Sequence, residues 1–328
     1  MLRRFCLGGT CAALGFALGG GLAPISPGTA AGASDVERVI TLGDSFSSGS
    51  GIHADATDYD DHGPGGHYFD PNERLGGSGC QRELDTTPGP RLADELGASF
   101  GMVACAGARI EHVRNQLDVA AIDDRGDGTL LTVTIGGNDL RTNRGEAWPD
   151  VIVRCITSGG CNESEQNQPA NLDEIERDLA RLYTVVGLRY REASVRVLAY
   201  PRLMQRDGWG CAGVTGMNRH EAKWIDDQVD ELNARIATAV DRAGAFTRAD
   251  IEFVPVVDEF DNHGACRFWQ RDRYINDVVF GATFTRSMTA DGEVREHVDD
   301  GLLTISGASF HPSQAGYDAY LNALRASL

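Results

Sequence analysis

Two short blocks at opposite ends of the chain carry residue types suited to nucleophilic catalysis. Gly43-Asp44-Ser45-Phe46 follows directly on the apolar run Val39-Ile40-Thr41-Leu42, and Ser309-Phe310-His311-Pro312 precedes the last helical stretch. A serine hydroxyl is a weak nucleophile and needs an imidazole within hydrogen-bond reach to take its proton. Two further blocks lie between these: Cys105-Ala106-Gly107-Ala108 and Gly136-Gly137-Asn138-Asp139. Glycine lets a backbone amide approach a reacting group closely. Asparagine adds a neutral N–H donor for developing negative charge. Each block taken singly also has a plain structural role. Ser45 suits a helix N-cap, and Gly107 and Asn138 suit turns.

The elements around these blocks alternate. Residues 37–43, 99–104, 130–135, 195–200 and 251–257 read as strands, being short, apolar and β-branched. Residues 90–97, 109–121, 172–191, 217–244 and 312–326 read as helices. Leu172, Ile175, Leu179, Leu182 and Val186 mark one face of the third, and Pro312 sits near the first turn of the last. Alternating strands and helices imply an α/β fold with a parallel sheet covered on both faces. Three blocks then fall at the carboxyl ends of strands, where such sheets bind ligands. Two polar stretches, 47–82 and 141–170, lack periodicity and read as long loops walling the site.

Residues 1–33 read as an export signal: Arg3 and Arg4, an apolar Gly/Ala-rich stretch from Phe5 to Leu22, and Ala31-Gly32-Ala33 as the cleavage site. The expected mature chain, 34–328, is about 295 residues and reads as one domain. No later segment approaches the roughly 20 apolar residues of a membrane span, so no stable membrane insertion is expected. The localisation expected is secreted and extracellular. Without Arg3 and Arg4 the chain keeps 28 of its 30 basic residues against 48 acidic ones, a net charge of about −20. That surface repels nucleic acid and anionic lipid at long range, and no nucleic-acid partner is expected. Cys6 and Cys11 leave with the signal, and Cys80, Cys105, Cys155, Cys161, Cys211 and Cys266 remain. An even count in an exported chain argues for disulfides. We favour the sequential pairing, Cys80–Cys105, Cys155–Cys161 and Cys211–Cys266, with the short Cys155/Cys161 spacing the firmest.

The four ordered blocks, Gly43-Asp44-Ser45, Cys105-Ala106-Gly107-Ala108, Gly136-Gly137-Asn138-Asp139 and His311-Pro312, resemble those of the SGNH/GDSL hydrolases. The resemblance spans essentially the whole mature chain. The three-disulfide layout and Cys80-Gln81-Arg82 are similar to secreted actinobacterial esterases and lipases of that family. The resemblance implies a flavodoxin-like three-layer α/β/α sandwich around a mostly parallel five-stranded sheet. It implies Ser45 as nucleophile and His311 as general base. It also implies an oxyanion hole from the Ser45 and Gly107 N–H groups and the Asn138 amide. Many members carry an Asp three residues before the His; here that residue is Ala308. In some secreted relatives a main-chain carbonyl two residues before the His orients the ring instead, which here is the carbonyl of Ser309. A Ser45–His311 dyad is therefore expected. Asp299 and Asp300 lie near enough in sequence to leave a triad open. Asp44 reads as an acceptor bracing the turn.

The activity implied is carboxylic-ester hydrolysis through an acyl-enzyme on Ser45, with a small-molecule or lipid ester as substrate and a monomer as the working unit. The same site could serve a phospholipase, a polysaccharide deacetylase or an acyltransferase, and the scaffold could also carry a non-catalytic surface-binding protein. No cofactor and no metal are expected. His53, His62 and His67 among Asp55, Asp58, Asp60 and Asp61 lack rigid ligand spacing and read as a solvated loop. Trp148, Trp209, Trp224 and Trp269 could line an acyl groove, with packing the default for each.

Overall fold

Val39, Ile40 and Leu42 are buried, and the strand that carries them, β1 (Arg38–Gly43), runs through the interior of a five-stranded sheet. The computed structural model describes residues 36–54, 80–120, 122, 125–204, 216–266, 272–280, 283–288, 294–299 and 305–328. β1 lies between β2 (Ser99–Met102) and β3 (Thr129–Thr134). β4 (Ser194–Leu198) and β5 (Asp250–Val254) complete the order β2-β1-β3-β4-β5, with every neighbouring pair parallel. All six residues of β3 are buried. A strand covered on both faces reads as a near-continuous apolar run, which is why β1 and β3 were legible in the sequence.

The path from β1 to β2 through α2 (Pro88–Leu96) runs one way across the sheet. The paths through α3 (Ile110–Val119), α5 (Leu172–Arg189) and α6 (Arg219–Thr247) run the other way. Right-handed crossovers then place α2 on one face and α3, α5 and α6 on the opposite one. The packing agrees: α5 touches α3 and α6, and α2 touches the closing helix α7 (Gln314–Ala326). The expected three layers are present. The crossover direction reverses at β1, and such a switch point opens a crevice at the strand's carboxyl end. These elements lie within one compact unit, Ala31–Leu328.

The stretch 141–170 departs from its reading as a long loop. It contains the helix α4 (Trp148–Ser158), with Pro149 in its first turn, and a short 3-10 turn at Glu165–Asn167. Trp148, Val151, Cys155 and Ile156 are buried at helical spacing, interrupted by exposed or half-exposed Asp150, Val153 and Arg154. The stretch 47–82 begins helically, since Ser47 and Ser48 finish α1 (Ser45–Ser48); residues 55–79 of it lie outside the described residues. An antiparallel hairpin, β6 (Thr283–Met288) and β7 (Val294–Asp299), was not foreseen. Residues 1–33 also lie outside the described residues.

Cys80–Cys105 and Cys155–Cys161 are bonded as expected. Cys266 is disulfide-bonded as well, while Cys211, its expected partner, lies outside the described residues. Among those residues no helix is long and apolar enough to cross a membrane.

Candidate active site

The turn after β1 begins with a residue that must be glycine. Gly43 has φ +115°, and a Cβ there would lie 2.2 Å from the carbonyl oxygen of Thr134. Gln116 of α3 fixes its position: Gly43 N–H donates to Gln116 Oε1 at 2.8 Å, and Gln116 Nε2 donates to Gly43 O at 2.9 Å. Asp44 then caps α1, accepting the Phe46 N–H on Oδ1 at 3.0 Å. Ser47 Oγ accepts the Thr134 N–H at 3.0 Å, tying α1 to β3. Ser45 is thereby set as the first residue of a short helix, at the carboxyl end of the sheet.

The histidine turn is built from the other end of the chain. Phe310 takes φ +58°, and Asn276 grips the turn around it. The Asn276 side-chain amide donates to Gly51 O at 2.7 Å and Ala308 O at 3.2 Å, while its main-chain N–H donates to His311 O at 3.0 Å. Tyr317 of α7 donates to Ser50 O at 2.9 Å, holding the chain just beyond α1.

These two turns bring Ser45 and His311 together. His311 Nε2 lies 2.7 Å from Ser45 Oγ, and His311 Nδ1 lies 3.1 Å from the carbonyl oxygen of Ser309. A carbonyl can only accept, so the contact places the proton on Nδ1 and leaves the Nε2 lone pair facing the serine hydroxyl. Burial pushes the His311 pKa down to about 4, opposed by hydrogen bonds to the Ser309 and Gly307 carbonyls. Asp299 ends β7, and Asp300 lies outside the described residues. Among those residues the partner of Nδ1 is main chain.

Gly107 and Asn138 line the same cavity as Ser45 and His311. Gly107 has φ +77° with open space where a Cβ would point. Its loop is held on both sides: Ala106 N–H donates to Cys80 O at 3.0 Å beside the disulfide, and buried Arg82 donates from Nε to Ala104 O at 2.8 Å. Asn138 sits in a 3-10 turn, Gly137–Asp139, after Gly136 at φ +121°. Its amide donates to Ala108 O at 3.1 Å, which uses one of two hydrogens and leaves the other for the cavity. Asp139 Oδ2 accepts the Ile110 N–H at 3.0 Å. Among the described residues, the Ser45 and Gly107 N–H groups have no acceptor.

Behind the serine, Asp44 is buried and its Oδ2 accepts the Tyr200 hydroxyl. Burial raises the Asp44 carboxyl to about 7, against the lowering effect of the Tyr200 and Phe46 hydrogen bonds. Burial likewise raises Asp139 to about 6, with the Ile110 N–H opposing.

The cavity encloses about 520 Å³. Its apolar lining includes Trp148, Ile152 and Ile156 from α4, Leu203, and Val229 and Leu232 from α6. Trp148 packs on Trp224 with centroids 5.2 Å apart. Trp209 and Trp269 lie outside the described residues, as do His62 and His67. His53 pairs with Glu83 at 2.8 Å.

Three site-building residues escaped the sequence reading: Gln116, Asn276 and Tyr200. Each acts on main chain or on a motif residue far away in sequence, and no local pattern flags such a role.

A family model for GDSL-like lipases/acylhydrolases matches residues 39–324. Lipase 1 of Streptomyces coelicolor is 26% identical over 269 residues, covering 81% of this chain and 86% of that protein. Lipase 2 of the same organism is 28% identical over 257 residues, covering 74% and 77%. The crystal structure of an extracellular lipase from Streptomyces rimosus matches with TM-score 0.62 at 23% identity, over 89% of this chain and 100% of that one. That of phospholipase A1 from Streptomyces albidoflavus gives the same values, and both show a shared fold. With the family model spanning all but the two ends, the chain belongs to the GDSL-like lipase/acylhydrolase family, a family of carboxylic ester hydrolases.

Proposed function

We propose that this ester hydrolase works through an acyl-enzyme on Ser45, with His311 as general base and the Ser309 carbonyl as its orienter. The observation that carries the reading is the pair of His311 contacts, Nε2 to Ser45 Oγ at 2.7 Å and Nδ1 to Ser309 O at 3.1 Å. As Oγ attacks the ester carbonyl, its proton passes to Nε2. The tetrahedral oxyanion accepts from Ser45 N–H, Gly107 N–H and the free hydrogen of the Asn138 amide. Collapse of the intermediate breaks the bond to the alkoxide, which takes the proton from Nε2. A water molecule, deprotonated by the same nitrogen, then attacks the acyl-enzyme and releases the acid. A carbonyl orients the ring but offers less charge to the imidazolium than a carboxylate. Catalysis therefore leans on the oxyanion donors, each worth about 10²–10³ in turnover.

The apolar lining residues Trp148, Ile152, Ile156, Leu203, Val229 and Leu232 suit an aliphatic acyl chain. The names of the two curated relatives, both lipases, point the same way. The enzyme is exported: the leader-like start, the disulfides and the acidic composition support an extracellular place of work. The test is labelling with a serine-directed alkyl phosphonate followed by peptide mass spectrometry. The adduct is expected on the peptide holding Ser45; a folded, ester-cleaving enzyme labelled elsewhere would overturn the assignment.

A further inference from the structure

The nucleophile turn and the Asn138 turn are joined by a single side chain that belongs to neither. Tyr200 follows β4, outside every motif block. Its hydroxyl donates to Asp44 Oδ2 and accepts the Gly137 N–H at 2.9 Å. Asp44 Oδ1 holds the Phe46 N–H at 3.0 Å. One continuous path therefore runs from the residue before Asn138, through Tyr200 and Asp44, to the residue after Ser45.

Tyr200 is itself rigidly placed. Its main-chain N–H donates to Asn233 Oδ1 at 2.9 Å, and Asn233 Nδ2 donates back to Tyr200 O at 2.8 Å. The Tyr200 ring meets Phe46 edge-on with centroids 5.1 Å apart, and Phe46 lies 4.9 Å from the His311 ring. Gly137 fits closely against it: a Cβ there would lie 3.2 Å from the phenol carbon and oxygen. A buried phenol with both hydrogen-bonding functions used on two catalytic turns is a spacer of fixed length.

We propose that Tyr200 is a positioning residue that sets the separation between Ser45 and the Asn138 amide, and so the geometry of the oxyanion hole. Proximity and orientation effects make rate steep in distance, with misplacement by about 1 Å costing about 10²-fold. Loss of the hydroxyl frees Gly137 and the Asn138 turn to drift away from the developing charge. Tyr200 also lines the cavity, but the apolar residues proposed to hold the acyl chain come mainly from α4 and α6, so ground-state binding should change little. The inference rests on the oxyanion assignment made above.

The test is steady-state hydrolysis of a p-nitrophenyl ester by Tyr200→Phe, Asn138→Ala and the double variant, with thermal melts as a check on folding. Tyr200→Phe keeps the ring against Phe46 and removes only the hydroxyl. The expected result is kcat lower by about 10-fold or more with KM within about two-fold, and a double variant little slower than Asn138→Ala alone. Gly137→Ala presses on the same contact from the other side and should show the same split of kcat from KM, which keeps the test decisive should Tyr200→Phe not fold. Wild-type kcat in Tyr200→Phe, or losses that multiply fully in the double variant, would overturn the proposal. An undiminished Asn138→Ala would instead overturn the oxyanion assignment beneath it.

Discussion

Gln116 holds Gly43 by both of its main-chain groups, from a helix 73 residues further along the chain. The contact fixes the residue two before Ser45, in a conformation that excludes any side chain. Replacing Gln116 by Ala leaves the Gly43 N–H buried without this acceptor, at a cost of about 1–3 kcal/mol. The expected outcome is a lower urea midpoint at unchanged m-value, together with a fall in kcat because the turn that carries Ser45, the proposed nucleophile, loses its anchor. A stability loss with wild-type kcat would confine Gln116 to the fold.

The depressed pKa of His311 has a kinetic sign. In the proposed mechanism the neutral imidazole is the base, and burial pushes its pKa down to about 4. The acid limb of kcat/KM, which reports the free enzyme, should fall near pH 4. A limb at 6.5 or above would contradict the burial argument. Stability follows the same linkage. On acidification the unfolded chain protonates this residue from about pH 6.5, and the folded chain only near 4. The His311 contribution is therefore intact above 6.5 and is lost between 6.5 and 4.

Asp44 has the opposite sign. Its folded pKa is raised to about 7, so the folded state holds the proton through a window where the unfolded chain releases it. Its stabilising contribution is complete below about pH 3.8 and is lost as pH rises through 7. Asp44→Asn cannot ionise. The melting temperature of Asp44→Asn minus that of wild type should therefore rise from pH 4 to about pH 7 and level off above it. A flat difference would mean that Asp44 ionises in the fold as it does in the unfolded chain.

The two described disulfides should act differently. Cys80–Cys105 closes a separation of 25 residues and Cys155–Cys161 one of 6. Chain-entropy arguments assign about 3.5 kcal/mol to the first and about 2 kcal/mol to the second. The first also steadies the Gly107 loop through the Cys80 carbonyl. The second lies in α4 and the turn after it, where Glu221 of α6 accepts the Cys161 N–H at 3.1 Å. Paired Cys→Ala variants should show the larger melting loss and a lower kcat for Cys80/Cys105. For Cys155/Cys161 the main effect should be a raised KM for long-chain esters. The reverse order would detach the disulfides from these roles.

Much of this was readable in the residues. Runs such as Val39-Ile40-Thr41-Leu42 and Leu130-Leu131-Thr132-Val133 are buried on both faces and announce parallel strands without tertiary help. Gly43, Gly107 and Gly136 sit at positive φ, so their identity is forced by local backbone geometry. The helix α4 was hidden because half its surface is solvated and Pro149 opens it, so its apolar positions read as scattered. Tyr200, Gln116 and Asn276 were invisible for a different reason. Their partners are main-chain groups or carboxylates brought near by the sheet order, and a lone Tyr, Gln or Asn carries no record of such a partner.

The most direct test of the account is p-nitrophenyl ester hydrolysis by wild type, Ser45→Ala, His311→Ala and the double variant, each confirmed folded by circular dichroism. If Ser45 and His311 act as one unit, each single change should cost about 10⁶ in kcat and the double change little more. Turnover above about 1% of wild type in Ser45→Ala would contradict the claim that Ser45 carries the acyl group.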